Sequence, residues 1–202
     1  MPYPDRFYPV VDSVAWVARL ALLGVGTIQL RAKNLSESDA LQTVKDALEM
    51  IKGTPARLVV NDHWRAAIIA GAKHLHLGQE DLAGADLKAI RNAGLTLGLS
   101  THDEEELATA LRAKPDYIAL GPIFPTTLKS MRLAPQGIAK ISEWKKRIGA
   151  LPLVAIGGIK LEQAPEIFAA GADSIAVVSD VTQNPDPDAR VRAWLRAFAE
   201  AA

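Results

Sequence analysis

The segments LVAIGG (residues 153–158) and SIAVVSD (residues 174–180) decide the fold of this chain. Each begins with an almost continuous run of β-branched and apolar residues, and a stretch with helical periodicity, residues 161–170, lies between them. Parallel strands that are buried on both faces require such runs. Two parallel strands are joined by a crossover, which is usually a helix. The pair therefore predicts a βαβ unit.

The same pattern recurs along the rest of the sequence. Further short apolar runs begin at Phe7, Thr27, Arg57, His74, Thr96 and Tyr117. Helical periodicity is found between several of them, in residues 36–52, 103–113 and 135–148. Strands alternating with helices in this way predict a (β/α)8 TIM barrel, with residues 1–202 as a single compact domain. An open doubly wound sheet is the alternative, but the turn after its first strand, VVDSVAW, lacks the glycines of a dinucleotide-binding turn.

The composition excludes several classes of function. The 23 basic and 23 acidic residues cancel, so the chain offers no overall field to nucleic acid or to an anionic membrane. There is no cysteine, which excludes disulfides, thiolate nucleophiles and cysteine-based metal sites and suits the cytoplasm. The first residues do not resemble a signal peptide, and no stretch approaches the roughly 20 apolar residues of a membrane helix. We expect a cytoplasmic protein without a nucleic-acid or membrane partner.

Polar residues at the end of the second strand indicate an anion site. Reacting groups of a (β/α)8 barrel lie at the C-terminal ends of its strands and in the loops that follow. Gln29, Arg31 and Lys33 alternate with other residues there, so they share one face of the strand. Two cations and an amide that converge in this way are typical of a phosphate clamp. A solvated strand end with chance spacing is the alternative interpretation.

Acidic residues follow the next two strands. The third strand ends with Asn61 and Asp62, and the fourth is followed by Asp81. Neighbouring strands thus each bring a carboxylate to the same rim, and such carboxylates are suited to holding Mg²⁺ beside phosphate oxygens. The alternative interpretation makes Asp62 and Asp81 helix N-caps, which is a common role for Asp directly after a strand.

Two later regions add to this picture: the loop after the sixth strand extends the first anion site, and the ends of the seventh and eighth strands predict a second one. The loop after the sixth strand, residues 121–129, contains Thr126 and Lys129 and is either a lid over a diphosphate or an ordinary proline-rich loop. The seventh and eighth strands end near Gly158, Val178 and Ser179. Backbone N–H groups at these two positions form the recurrent phosphate site of (β/α)8 barrels, and glycine permits their close approach.

The histidines divide into two kinds. His74 and His76 share a strand face, but without a third ligand they are weak evidence for zinc, and the sequence favours histidines of the barrel interior. His102 follows Ser100 at the end of the fifth strand, where it is better placed to contact a substrate. No nucleophile–base pair is evident in the sequence.

Six motifs, taken together, carry a family resemblance. They are QLRAK, VNDHWRAAIIAGAKHLHLGQED, GLSTHD, GPIFPTTLK, VAIGGI and AGADSIAVVSD. In this order, and from Tyr8 to Asp180, they resemble the thiamine-phosphate synthase family. The resemblance implies a TIM-barrel transferase with Mg²⁺ as its cofactor and two small-molecule substrates. These are 4-amino-2-methyl-5-hydroxymethylpyrimidine diphosphate and 4-methyl-5-(2-hydroxyethyl)thiazole phosphate, and the products are thiamine phosphate and pyrophosphate.

The resemblance also implies a role for each candidate residue. Asp62 and Asp81 would bind Mg²⁺, and Ser100 would lie close to the breaking bond. The residues that would hold the pyrimidine diphosphate are Gln29, Arg31, Lys33, Asn61, Ser100, Thr126 and Lys129. The residues that would bind the thiazole phosphate are Gly158, Val178 and Ser179. Of these, Arg31, Lys33, Ser100 and Lys129 would be catalytic, by stabilising the diphosphate as it leaves a pyrimidine-methyl cation.

One departure from the family pattern keeps alternatives open. Many members have a second threonine in the lid motif where this chain has Leu128, so the diphosphate would lose a hydroxyl donor that Thr127 compensates in part. The first alternative is a thiazole tautomerase that uses His102. The others are a barrel that binds thiazole phosphate without turnover and a phosphate-binding barrel of another pathway. The sequence leaves the oligomeric state open, and a homo-oligomer is compatible with it.

Overall fold

Eight parallel strands close a barrel in the computed structural model, which describes residues 3–126 and 134–199. The strands are β1 (Phe7–Val11), β2 (Thr27–Leu30), β3 (Arg57–Asn61), β4 (His74–Leu77), β5 (Thr96–Thr101), β6 (Tyr117–Leu120), β7 (Leu153–Ile156) and β8 (Ser174–Val177). The sheet closes where β1 pairs with β8 and Phe7 lies opposite Ile175. Every strand begins at the residue expected from the sequence, so the (β/α)8 barrel is confirmed.

Helices follow the strands around the outside of the barrel. In the described residues they are α1 (Val14–Leu22), α2 (Glu37–Met50), α3 (Trp64–Ala70), α4 (Gln79–Ala83), α5 (Leu87–Asn92), α6 (Glu104–Arg112), α7 (Gly137–Ile148), α8 (Ala164–Ala169), α9 (Ser179–Thr182) and α10 (Pro187–Ala199). Their ends obey local chemistry: the Asp103 side chain accepts from the Glu106 N–H at 2.9 Å, and Gly71 ends α3 at φ 75°. None of these helices has the length and apolar character needed to cross a membrane.

The buried residues form two layers because the side chains of a strand alternate between its faces. Residues that point outwards, such as Ile28, Leu75 and Leu99, pack against the helices in the larger cluster. Residues that point inwards, such as Tyr8 and Tyr117, fill the lumen in a separate cluster. The lumen is therefore a packed interior, and substrates have access only to the ends of the barrel.

The segment before β1 covers the N-terminal end of the barrel. Asp5 forms an ion pair with Arg57, and the Thr27 hydroxyl donates to Asp5 Oδ2 at 3.0 Å. The ring of Tyr3 stacks on His74 with 4.5 Å between ring centroids. His74 therefore lies at the end of the barrel opposite to the C-terminal rim, where it packs against an aromatic ring. The expectation of an interior histidine is confirmed for His76, which is buried, whereas His74 is only partly buried.

Gly98 in β5 leaves room for the ring of Tyr117 from the neighbouring strand. A Cβ added at Gly98 would lie 1.9 Å from Tyr117 Cζ. We expect Gly98→Ala to lower the free energy of unfolding by about 1–3 kcal/mol, because the ring must move inside a packed lumen. Urea unfolding measures this. Gly84→Ala is the matched control, since its Cβ would meet only a backbone oxygen at 3.9 Å. Equal stability of the two variants would contradict the prediction.

Candidate active site

The residues predicted to act gather at the C-terminal rim of the barrel. Gln29, Asn61 and Ser100 are in β2, β3 and β5. Those in the loops and short helices that follow the strands are Arg31, Lys33, Asp62, Asp81, Thr126, Gly158, Val178 and Ser179. All strands are parallel, so these positions share one end of the barrel, as predicted. Lys129, with its neighbours Thr127 and Leu128, lies outside the described residues.

Two carboxylates converge beside Gly78. Asp62 has a left-handed backbone with φ 63°, and its Oδ1 accepts from the Gly78 N–H at 3.1 Å. The side-chain amide of Asn61 donates to Asp62 Oδ2. Partial burial and the neighbouring Asp62 carboxylate raise the pKa of Asp81, and Lys33 opposes this shift. Left-handed backbone is uncommon for a residue with a Cβ, so the rim holds two mutually repelling acids at a local cost.

The helix-capping alternative for these two acids is wrong. The N-cap of α3 is His63, which makes no side-chain capping bond, and the N-cap of α4 is Gly78. Asp81 lies inside the first turn of α4, and Asp62 accepts from Gly78 across the rim. The imidazole of His63 instead contacts the carbonyl oxygen of Ala32 at 2.8 Å and joins the loops after β2 and β3. Neither acid is used to begin a helix.

The two cations that follow β2 reach the same rim. The backbone N–H of Arg31 donates to the Val11 carbonyl oxygen at 2.7 Å, which extends the β1–β2 pairing to the rim. Arg31 is half-buried and close enough to His76 to lower its pKa, and Lys33 is exposed and lowers the pKa of Asp81. The structure therefore places one cation close to the carboxylate pair and another close to His76.

A chain of side-chain hydrogen bonds crosses the lumen below the rim. The amide of Gln29 donates to the Tyr8 hydroxyl at 2.7 Å, and that hydroxyl lies 2.9 Å from the hydroxyl of Tyr117. The Tyr117 hydroxyl lies 3.0 Å from His76 Nδ1, and His76 Nε2 lies 2.8 Å from Ser100 Oγ. Sequence reasoning missed this chain. The alternation of side chains along each strand indicates that all five point inwards, but it does not indicate which of them meet.

We expect the imidazole of His76 to be uncharged at neutral pH. Burial, with a further contribution from Arg31, lowers the pKa of His76 from its ordinary value of 6.5 to about 4. Burial also raises the pKa of Tyr8 and of Tyr117, so both phenols keep their protons. The whole chain of hydrogen bonds is therefore made by neutral groups, which suits a buried network.

The low pKa of His76 makes folding sensitive to acid. Between its folded and unfolded pKa values the unfolded chain binds the proton and the folded chain does not, so stability is present above about pH 6.5 and falls towards pH 4. We expect His76 to remove about 2 kcal/mol of stability between about pH 7 and pH 5. His74, with a pKa also lowered to about 4, adds its own loss. Urea unfolding therefore compares wild type with His76→Gln, which should show the shallower pH dependence; equal slopes would contradict the prediction.

A second cleft opens where β7 and β8 end. Its lining includes Pro125, Thr126, Gly158 and Ser179. Gly158 has φ 68°, and a Cβ there would lie 2.5 Å from the Pro125 carbonyl oxygen. The Phe124 N–H donates to the Gly157 carbonyl oxygen at 3.0 Å. Only glycine allows the loops after β6 and β7 to approach so closely, which explains the sequence requirement at this position.

The buried carboxylate of Asp180 helps to hold the lining of that cleft in place. Arg190 donates to both oxygens of Asp180 at 2.8 Å, and to Glu162 at 2.8 and 2.9 Å. The indole N–H of Trp194 donates to the same Asp180 at 2.7 Å. These contacts fasten the turn from β8 into α9, where Ser179 lies, to α10. Sequence reasoning missed Arg190, because nothing in its local pattern separates it from the other charged residues of an exposed helix.

His102 is held by its own helix. Its Nδ1 lies 2.6 Å from Glu106 Oε2, and the same oxygen accepts from the His102 backbone N–H at 2.8 Å. The Glu106 backbone N–H in turn binds Asp103. This arrangement resembles a capping box at the start of α6 and gives His102 a local structural role.

The fold, the carboxylate pair at the rim and the cleft at the ends of β7 and β8 define a (β/α)8-barrel enzyme. Residues 7–181 match the family model described as thiamine monophosphate synthase, and the chain belongs to this family. A thiamine-phosphate synthase of Rhizobium etli is 54% identical over 195 residues, which cover 96% of each chain. One of Cronobacter sakazakii is 52% identical over 92% of this chain and 89% of its own. The solved thiamine phosphate pyrophosphorylase of Pyrococcus furiosus has a TM-score of 0.79 and 29% identity over 96% of each chain. The chain is accordingly a transferase of thiamine biosynthesis.

Proposed function

We propose that the C-terminal rim joins 4-amino-2-methyl-5-hydroxymethylpyrimidine diphosphate to 4-methyl-5-(2-hydroxyethyl)thiazole phosphate and releases pyrophosphate. One observation carries this proposal: one rim of a family member has both a carboxylate pair with Lys33 close by and, at the ends of β7 and β8, a separate cleft lined by Gly158 and Ser179. Two anionic substrates that react with each other require two such sites next to one another. The names of the relatives support the same reaction.

The pyrimidine diphosphate occupies the side of the rim formed by β2 to β5. Arg31 and Lys33 bind the diphosphate oxygens and stabilise the charge that develops as the C–O bond breaks. Ser100 lies at the end of β5 beside the reacting carbon. The remaining residues assigned to this substrate are Gln29, Asn61, Thr126 and Lys129. The attacking thiazole nitrogen has a free lone pair, so the reaction needs alignment and leaving-group stabilisation and no general base.

The carboxylate pair fits Mg²⁺. Partial burial and the neighbouring Asp62 carboxylate raise the pKa of Asp81, and a divalent cation bound beside the two acids would stabilise the charged form of Asp81. This suits Mg²⁺, which takes one or two carboxylates and completes its shell with water and substrate phosphate oxygens. Asp62 and Asp81 would hold the ion, and it would neutralise charge on the leaving diphosphate.

The thiazole phosphate occupies the second cleft. Gly158, Val178 and Ser179 would bind the phosphate through backbone N–H groups, and glycine is needed at position 158 because a Cβ there would collide with Pro125 and Phe124. Lys160 lines the same cleft and adds positive charge at its edge. Arg190 is already paired with Asp180 and Glu162, so its role is to hold the loop in place.

A product assay tests this function. The purified protein is mixed with both substrates, with and without Mg²⁺, and thiamine phosphate and pyrophosphate are quantified together. We expect equimolar products that depend on the ion. A folded protein that binds thiazole phosphate yet forms no product would refute the synthase and leave the binding-protein alternative. His102→Ala separates the remaining rival, because a tautomerase would lose its activity in this variant and a synthase would keep it.

The setting of the enzyme belongs to the same proposal. Residues 1–202 act as one catalytic domain in the cytoplasm, on small molecules, and without nucleic-acid or membrane partners. The balanced charge of the sequence supports this, because it gives no attraction to polyanions. Light scattering coupled to gel filtration would determine whether the domain forms a homo-oligomer.

A further inference from the structure

The hydrogen-bond chain across the lumen has a direction. The amide nitrogen of Gln29 can only donate, so the Tyr8 hydroxyl accepts from it. The proton of Tyr8 then has one acceptor among the described residues, the hydroxyl of Tyr117. If the chain ran the other way, Tyr117 would donate to Tyr8 and a buried hydroxyl proton would have no partner, which is costly.

The direction determines the tautomer of His76. Because Tyr117 accepts from Tyr8, its own proton is donated to His76 Nδ1. An uncharged imidazole that accepts at one nitrogen carries its proton on the other, so Nε2–H donates to Ser100 Oγ. The carbonyl oxygen of Ser100 accepts from the side chain of Gln79 at 2.6 Å, which holds the backbone of Ser100 in place.

This tautomer determines the direction in which Ser100 donates its hydroxyl proton. Its oxygen already accepts from His76, so its O–H is directed away from the lumen, towards the rim where the two carboxylates and Arg31 lie. The acceptors that arrive there are the oxygens and ring nitrogens of the substrate. A serine held in the opposite sense would donate to His76 and present only lone pairs to an anionic group, which repel it.

We propose that His76 is a positioning residue, which through its Nε2–H directs the Ser100 hydroxyl to donate to the pyrimidine diphosphate substrate. This inference rests on the proposed function for the identity of the substrate. It assigns Gln29, Tyr8 and Tyr117 a joint role as the groups that select the tautomer. It also explains why a histidine is buried in the lumen of the barrel.

Two substitutions at His76 separate the two contacts of the ring. In His76→Gln the amide reaches the position of Nε2 and can donate to Ser100, whereas in His76→Asn it reaches the position of Nδ1 and can bind only Tyr117. We expect His76→Asn to lower kcat by roughly 100-fold through misplacement of Ser100, and His76→Gln to lower it much less. The KM for thiazole phosphate should stay unchanged in both, because the second cleft is untouched.

The same pair of substitutions at His74 is the matched control. His74 lies on the same strand but at the far end of the barrel, so Gln and Asn there should give similar kcat values. A merely structural role of His76 predicts that kcat follows the stability of each variant. A double-mutant cycle is decisive: in a Ser100→Ala background, His76→Asn should have no further effect on kcat. Additive losses would overturn the proposal.

The tautomer itself can be measured without any assay of activity. The chain has four histidines, so ¹⁵N-labelled histidine gives a small set of long-range ¹H–¹⁵N correlations, and His76→Gln identifies the signals of His76. We expect the Nε2–H tautomer. An Nδ1–H tautomer would overturn the proposal even in an active enzyme. Absence of synthase activity with the Nε2–H tautomer present would refute the proposed function and leave the direction of the chain intact.

Discussion

Arg31→Met should lower kcat/KM for the pyrimidine diphosphate by about 10²- to 10³-fold, the usual effect of removing one preorganised donor from developing negative charge. Arg31 is half-buried at the rim, close to His76, and its backbone is fixed by Val11. A guanidinium keeps its charge in such a place and can bind two phosphate oxygens at once. Initial-rate kinetics with each substrate varied in turn measure the effect.

Arg112→Met is the control for this substitution. Arg112 is exposed at the end of α6 and its side chain contacts Thr109, so the same chemical change there leaves the rim intact. We expect wild-type kinetics from it. Arg31→Lys should recover part of the lost rate, because the charge returns without the two-pronged geometry. If Arg31→Met retained the kcat/KM of Arg112→Met, the pyrimidine diphosphate would not bind where we have placed it.

The fold could be predicted because each strand has its own local signal. The runs that begin at Leu153 and Ser174 are dense in β-branched and apolar residues, and the positions of their ends depend on few neighbours. The helix signals are equally local, as at Asp103, whose side chain accepts from the backbone N–H three residues further on. Such patterns can be recognised in the sequence alone, because the barrel buries every strand in the same way.

The contacts inside the barrel could not be predicted in the same way. His76, Tyr117 and Ser100 are each ordinary inward-facing residues of separate strands, and the stagger of those strands decides which of them meet. Gly98 is a similar case. A glycine is needed there because the ring of Tyr117 on β6 occupies the space of a Cβ, and the sequence around Gly98 does not indicate this. The alternation of side chains predicts a face, whereas hydrogen bonds across a lumen require the three-dimensional register.

The carboxylate pair could be predicted in part. The sequence indicated that Asp62 and Asp81 reach one rim, because the ends of neighbouring parallel strands meet. It left the capping role open, which the structure excludes by making His63 and Gly78 the N-caps. The left-handed backbone of Asp62 was beyond sequence reasoning, because this conformation is rare outside glycine and depends on contacts such as the one with Gly78.

Asp81→Asn should separate stability from activity. The raised pKa of Asp81 means that the folded state disfavours its charge, so a neutral isostere should raise the midpoint of thermal unfolding when EDTA removes divalent ions. The same change removes one of the two carboxylates proposed for Mg²⁺. Catalysis should lose roughly 3 kcal/mol of leaving-group stabilisation, or about 100-fold in kcat/KM.

A thermal-shift titration with Mg²⁺ measures both effects in one series. The wild-type protein should gain stability as Mg²⁺ is added, because the ion binds the folded state and relieves the repulsion between Asp62 and Asp81. Asp81→Asn should begin from a higher midpoint and respond little. Glu105→Gln removes the same charge from an exposed turn of α6, so it should keep both the wild-type response to Mg²⁺ and the activity. A wild-type response in Asp81→Asn would show that the ion binds elsewhere, and a lower midpoint in EDTA would show that the acids do not repel each other.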